Sequence, residues 1–224
     1  MAGTPRVTCW SISGAILIAF STVFVIFASA FPYWQERELT REAGFPHVGL
    51  WEICFREDGE PAPPWANDAL TKRYYGCNYV FDRELRTILH WIYPGWFIGV
   101  TFLVTLGLLL QPVAFIIDIL FFVRVCSAHL EHVLVGVAFL LTTINGFTTA
   151  IAIIIFGIKS DTDQYWIPDP KSSHLSYSFA VCAFVPVLSW LAGMCHGVEF
   201  LRLKSIRDRN ARAKVYARGE FGRY

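Results

Sequence analysis

Long stretches of the 224-residue sequence carry no charge at all. No Asp, Glu, Lys or Arg occurs within residues 7–35, 87–117, 132–158 or 172–198. Each stretch exceeds the roughly 20 apolar residues that a helix needs to cross a bilayer, and each is too continuously apolar for the alternating strands of a membrane barrel. The missing charge argues against a soluble domain and predicts a membrane α-helical fold with four spans, because helices satisfy their own backbone hydrogen bonds in lipid.

Sequence motifs for catalysis are absent as well. The sequence contains no glycine-rich phosphate-binding loop, no G-x-S-x-G turn and no C-x-x-C pair. His129, Glu131 and His132 are neighbours in the sequence, but without a further ligand they are predicted to be a solvated cluster rather than a metal site. We therefore predict a non-enzymatic protein that has no cofactor, binds no metal and has no nucleic acid partner.

The charges that are present divide unevenly along the chain. Residues 202–224 carry eight Lys or Arg and two acids, which is 8 − 2 = +6, whereas residues 32–90 carry ten acids and seven bases. Lys and Arg accumulate on the cytoplasmic side of membrane proteins. The tail is therefore predicted to lie inside the cell, and four spans place the N-terminus inside too.

These features predict one domain, 1–224, that consists of a four-transmembrane-helix bundle with two outer loops in the plasma membrane. The predicted spans are about 12–31, 92–117, 133–157 and 175–198, the outer loops are about 32–90 and 159–174, and the cytoplasmic basic tail is 202–224. Ala28-Ser29-Ala30 also resembles a signal-peptidase site. The apolar run before it is longer than that of a signal peptide, which favours a retained first helix.

The predicted topology sorts the six cysteines. Cys54 and Cys77 both lie in the first outer loop, in an oxidising space, and are predicted to form a disulfide, with two free thiols as the alternative. Cys9, Cys126 and Cys195 lie near the inner membrane face. They are candidates for palmitoylation, although inert thiols fit the sequence equally well.

The first outer loop has the composition of a small sheet. Residues 47–55 and 74–81 are rich in strand-forming residues and contain the two cysteines. Turn-forming residues lie between them, residues 66–73 fit a short helix, and residues 81–90 fit a helix that leads into the second span. The sequence thus predicts a small extracellular antiparallel β-sheet built mainly from the first outer loop.

At this point the sequence resembles the claudin superfamily, which also includes peripheral myelin proteins and related regulatory subunits of channels and receptors. Trp34, the run Gly49-Leu50-Trp51, Cys54 and Cys77 are similar to the W…GLW…C…C pattern of claudins. Arg86 stands where the family has an arginine before the second span. The interval between the cysteines is longer than usual, and its acidic, proline-rich insert suggests a divergent branch, such as the invertebrate claudin-like proteins of septate junctions.

The resemblance implies a function at cell–cell junctions. It implies that Trp34, Gly49, Leu50, Trp51 and Arg86 anchor the sheet, and that the loops contribute to a paracellular barrier of tight- or septate-junction type at lateral contacts. The residues that follow the cysteines, Phe55 and Asn78, are neutral, which favours a barrier over a charge-selective pore. An auxiliary subunit of an ion channel or receptor is the alternative.

Aromatic side chains in the outer loops are the candidate partner contacts, because aromatics dominate interface energies. They are Trp65, Tyr74, Tyr165 and Trp166. The expected partners are the lipid bilayer and, in the same or the opposing membrane, further copies or other claudin-like proteins. A cytoplasmic scaffold is a weaker candidate at the tail, because the terminal Tyr224 suits strand addition to a PDZ groove but Gly222 offers no side chain to read.

The cysteine pair generates a first testable prediction. The Cys54→Ser variant should be retained inside the cell, because a small sheet without a core of its own loses its cross-link. Surface biotinylation of a tagged protein measures this. Surface delivery equal to that of the unsubstituted protein would contradict the disulfide.

Overall fold

A computed structural model describes residues 7–37, 46–57, 59–61, 73–123, 130–163, 166 and 173–221. Its helices, in chain order, are α1 (Cys9–Ala30), a 3₁₀ helix (Arg83–Thr87), α2 (Leu89–Ile92), α3 (Gly95–Val123), α4 (Glu131–Thr162) and α5 (Tyr177–Phe221). Its strands are β1 (Gln35–Arg37), β2 (His47–Val48), β3 (Glu52–Cys54), β4 (Glu60–Pro61), β5 (Arg73–Tyr74), β6 (Cys77–Tyr79) and β7 (Ser173–Leu175).

Four of the helices, α1, α3, α4 and α5, are long and apolar enough to cross a membrane. Each of the four predicted spans overlaps one of them, so the prediction of a four-helix membrane fold is confirmed. The helices extend beyond the predicted spans: α3 continues to Val123, and α5 continues through the basic tail to Phe221. The position of the bilayer along each helix stays a prediction.

The four helices form a closed bundle. The principal contacts join α1 to α3, α3 to α4, α4 to α5 and α5 back to α1. Small residues allow the close approaches, and Gly146 of α4 is the clearest case. A Cβ atom there would lie 2.4 Å from the indole of Trp190 in α5, so the small residues of α4 serve packing within one bundle.

A chain of polar side chains connects all four helices at the centre of the bundle. The Asn145 amide of α4 donates to the Gln111 carbonyl oxygen of α3 at 2.7 Å and to the Ser189 hydroxyl of α5 at 2.9 Å. Ser189 in turn lies 3.0 Å from the Ser21 hydroxyl of α1. All four side chains are fully buried. Because lipid offers them no alternative partner, these hydrogen bonds favour one arrangement of the helices.

The sheet caps one end of the bundle. Its five strands have the order β6-β3-β2-β1-β7 and are antiparallel throughout, and β4 pairs with β5 in a separate hairpin. The antiparallel sheet predicted for the first outer loop is thereby confirmed. No strand was predicted for β1 or for β7, and the second loop adds β7 as an edge strand beside β1.

Several local predictions for the first loop were wrong in detail. Residues 47–55 do not form one strand, since β2 and β3 are separated by a turn at Gly49–Trp51. Residues 74–81 likewise divide between β5 and β6, and the helix predicted over 81–90 is a 3₁₀ turn followed by α2. Propensity identified strand formers but not the turns, which depend on contacts with the bundle. The short helix predicted at 66–73 lies almost wholly outside the described residues.

The polar network generates a prediction about stability. Asn145→Ala should lower the free energy of unfolding by about 1–2 kcal/mol, because it leaves the buried Gln111 carbonyl oxygen without its donor and leaves Ser189 with only its contact to Ser21. Thermal unfolding in detergent measures the effect. The matched control is Thr148→Val. The Thr148 hydroxyl donates to the Asn145 backbone carbonyl within α4 and does not join two helices. This variant should change the free energy of unfolding by less than about 0.5 kcal/mol. Equal stabilities of the two variants would contradict a structural role for the network.

Candidate functional site

The turn between β2 and β3 is held against the end of α1. The Gly49 N–H donates to the Glu52 carbonyl at 2.8 Å and closes the turn. A Cβ atom at Gly49 would lie 2.4 Å from the Cα of Pro32. The turn therefore requires glycine because backbone packs directly on backbone.

Leu50 fastens the same turn to the start of α3. Its side chain is 1% exposed, and its carbonyl accepts a hydrogen bond of 2.9 Å from the Tyr93 hydroxyl. That hydroxyl also lies 2.5 Å from the Thr101 hydroxyl. Burial raises the pKa of Tyr93 to about 12, so the hydroxyl keeps its proton and remains a donor at any physiological pH.

Trp34 joins the sheet to three helices. It is completely buried, and its indole N–H donates to the Ala28 carbonyl at the end of α1 at 2.7 Å. Its ring contacts Phe156 of α4 edge-on at 5.1 Å and Phe179 of α5 at 5.8 Å. Its backbone N–H bonds to Val48 of β2 at 2.9 Å. The side chain thus occupies the position expected of a sheet anchor.

The other two residues expected to anchor the sheet differ from these. Trp51 is only half buried and packs on Phe81 with ring centroids 5.9 Å apart. Arg86 is exposed on the 3₁₀ helix. Trp34, Gly49 and Leu50 are thus buried, whereas Trp51 and Arg86 are not, and the anchoring role of the five residues stays a prediction.

The structure contains the disulfide between Cys54 and Cys77. The two residues are directly opposite each other in the β3–β6 pair, so the bond sets the register of these short strands. A His47 ring nitrogen and both sulfur atoms lie within 4.8 Å of one another. This group is not a metal site in the oxidised protein, because the sulfur atoms are bonded to each other rather than free as thiolates.

His47 lies in a polar row on the outer face of the sheet. Its ring stacks on Tyr33 at 4.7 Å. Burial lowers the pKa of His47, an effect that the Glu36 and Glu52 carboxylates oppose. Glu36 is opposite His47 on one side and His174 on the other. The row therefore places two carboxylates close enough to His47 to act on its ring electrostatically.

Two of the four aromatic contact candidates are not on the surface, and for these two the prediction was wrong. Trp166 is 1% exposed, donates its indole N–H to the Ile92 carbonyl at 3.0 Å and packs edge-on against Trp96 at 4.9 Å. Tyr74 is 3% exposed, packs on Phe55 and shares a hydrogen bond of 3.0 Å with Thr87. Burying these aromatic rings between the sheet and the bundle removes a large apolar area from water, which stabilises the protein more than leaving the rings exposed. Trp65 and Tyr165 lie outside the described residues.

Other aromatic side chains are exposed where the sequence analysis did not expect them. Tyr75, Tyr79 and Phe81 are 56%, 66% and 76% exposed, beside or within the edge strand β6. Tyr75, Tyr79 and Phe81 are at odd-numbered positions, whereas the buried Tyr74 and Val80 are at even-numbered positions. The sequence of this segment does not show which of the two sets faces the core. These three residues are named the β6 aromatic patch.

The cysteines near the opposite end of the bundle differ in accessibility. Cys9 is exposed at the start of α1, whereas Cys195 is buried within α5. Burial disfavours Cys195 as a palmitoylation site, and the prediction for Cys9 stands as a prediction. Cys126 lies outside the described residues.

A family model described as PMP-22/EMP/MP20/Claudin tight junction matches residues 19–196, which is most of the chain. The matched segment contains the described sheet and the disulfide. No curated protein matches the chain.

The Gly49 turn generates a prediction with a matched control. Gly49→Ala should destabilise the protein by about 1–3 kcal/mol, because the added methyl group overlaps backbone that cannot move freely. Gly95→Ala adds the same group where no atom lies within 4 Å and should be nearly neutral. Thermal unfolding and protease resistance of the outer loops measure both variants. Equal behaviour would show that the turn is not held tightly against α1.

Proposed function

The chain belongs to the PMP-22/EMP/MP20/claudin family, and from this premise we propose that it is a non-enzymatic junction protein that contributes to a paracellular barrier. Its place is the plasma membrane at lateral cell–cell contacts, in junctions of the tight or septate type. Family membership carries the proposal, because it makes the chain a tight-junction-like membrane protein in general.

The attachment of the sheet supports a barrier role. Trp34, Leu50 and the buried Trp166 connect the sheet and both outer loops to the bundle. The disulfide holds β3 to β6. A surface that is held rigidly loses little conformational entropy when it binds a partner. Such a sheet is suited to contact a second protein and to fill the space between two cells.

The β6 aromatic patch is the proposed contact surface. Exposed aromatic side chains on a rigid element are typical of protein interfaces. The partners are further copies of this chain or other claudin-like proteins, in the same or the opposing membrane. Trp65 and Tyr165 remain candidates for the same surface.

The orientation of the chain is part of the proposal. The basic residues of α5 beyond the bundle support a cytoplasmic tail: Arg209, Arg212 and Lys214 are exposed there, and Lys and Arg accumulate on that side. With four spans both termini are then cytoplasmic, and the sheet is extracellular.

The patch generates a test of the proposed function. The double variant Tyr79→Ala, Phe81→Ala should weaken contact between cells, because each interface aromatic of this kind contributes about 2 kcal/mol, or roughly 30-fold in affinity. Expression in cells without junctions of their own measures clustering at contacts, and expression in a polarised epithelium measures tracer flux. The variant should lose most clustering and leave tracer flux high.

The matched control is Tyr216→Ala in the tail, because Tyr216 is 75% exposed and Phe81 is 76% exposed. It should cluster normally. If the unsubstituted protein stays diffuse in the membrane and a channel or receptor co-purifies with it, the junction function is overturned in favour of an auxiliary subunit.

A further inference from the structure

Two buried ionisable side chains meet at the end of the bundle remote from the sheet. Asp118 of α3 and His196 of α5 are 3% and 2% exposed, and the His196 Nε2 atom lies 2.8 Å from the Asp118 Oδ1 atom. Helices α3 and α5 each pack mainly on α1 and α4, so this contact runs across the bundle. Ionisable groups inside membrane spans are costly and mark functional sites.

The second ring nitrogen determines how many protons the pair holds. The His196 Nδ1 atom is 2.6 Å from the Ala192 carbonyl oxygen, and because a carbonyl only accepts, Nδ1 must carry a hydrogen. The Nε2 atom faces a carboxylate oxygen, so the short contact needs one more proton between those two atoms. The pair therefore has zero net charge, whether that proton is on the ring or on the carboxyl group.

The surroundings offer little to replace this bridging proton. The second oxygen of Asp118, Oδ2, is buried and has no hydrogen-bond partner among the described residues. Gly14 of α1 lies against the His196 ring, where a Cβ atom would be 2.6 Å from Cε1. Without the bridging proton, a buried carboxylate would face the lone pair of a neutral imidazole, which is repulsive and poorly solvated.

Two further acids lie at this end of the bundle. Glu199, one turn further along α5, accepts hydrogen bonds from the Thr8 hydroxyl at 2.6 Å and from Arg202 at 2.9 Å. From α4, Glu131 is buried at the same end of the bundle. Helix α1 contributes no Asp, Glu, Lys or Arg.

We propose that Asp118 and His196 form a proton-binding site that latches α3 to α5, and that loss of the bridging proton opens this end of the bundle. The closed form holds one proton more than an open, hydrated form, in which an ordinary imidazole is neutral above about pH 6.5. By linkage, the latch stabilises the protein fully below that pH and progressively less as the pH rises. Since α5 continues from the latch into the basic tail, the packing at the base of the tail depends on pH.

Thermal unfolding of the full chain in lipid nanodiscs, between pH 5.5 and 9.5, tests the proposal. The melting temperature of the unsubstituted protein should fall by several degrees as the pH rises. Asp118→Asn should remove most of this dependence, because an amide N–H can donate to the neutral ring without a bridging proton. Asp208→Asn, which changes a partly exposed acid on the same helix as His196, should keep it. The same pH profile in Asp118→Asn as in the unsubstituted protein would overturn the proposal.

A second measurement does not depend on whether the Asp118→Asn variant folds. In protein with ¹⁵N-labelled histidine, the His196 ring signals, identified by their loss in His196→Gln, should report a bridging proton at pH 6 and its release towards pH 9. Infrared difference spectra of the carboxyl group show whether that proton resides on Asp118. A His196 signal that does not change over this range, with no change in the carboxyl band, would also overturn the proposal.

Discussion

Lipid offers no hydrogen bonds, and this constraint decides how the polar side chains of the bundle are arranged. The Asn145 amide connects to Gln111 and Ser189 because nothing outside the bundle could satisfy it. Asp118 and His196 meet for the same reason. Thr142 and Thr149 donate instead to carbonyls of their own helix. The bundle is thus specified by a few internal polar contacts, while apolar packing supplies most of its surface.

The sheet depends on the bundle in turn. Its strands are two or three residues long, too short to form a stable sheet alone. The disulfide and the aromatic joint around Trp34 replace the missing core. This arrangement explains why the GLW turn is so restricted. The Pro32 backbone packs where a side chain at position 49 would lie, and Leu50 contacts the bundle through both its side chain and its carbonyl.

The outcome for individual residues shows where a sequence is informative. Cys54 and Cys77 were predicted to pair because they were the two cysteines of the predicted outer loops, and the structure places them directly opposite each other in β3 and β6. Tyr74 and Trp166 were expected to be exposed because they lie in loops. They are buried, since each loop folds back onto the bundle and its aromatic side chains fill the joint. Loop position and exposure are different properties, and only the first can be read from the chain.

The four apolar stretches, the cysteine pair and the GLW pattern determined the membrane fold, the cross-link and the family. These depend on composition and on spacing along the chain, which a sequence displays directly. The tertiary structure alone decided that Asp118 lies against His196 and that Tyr79 and Phe81 form the exposed patch. The two members of the acid–imidazole pair are separated by 78 positions in the chain, and only the packing of four helices brings such distant residues together.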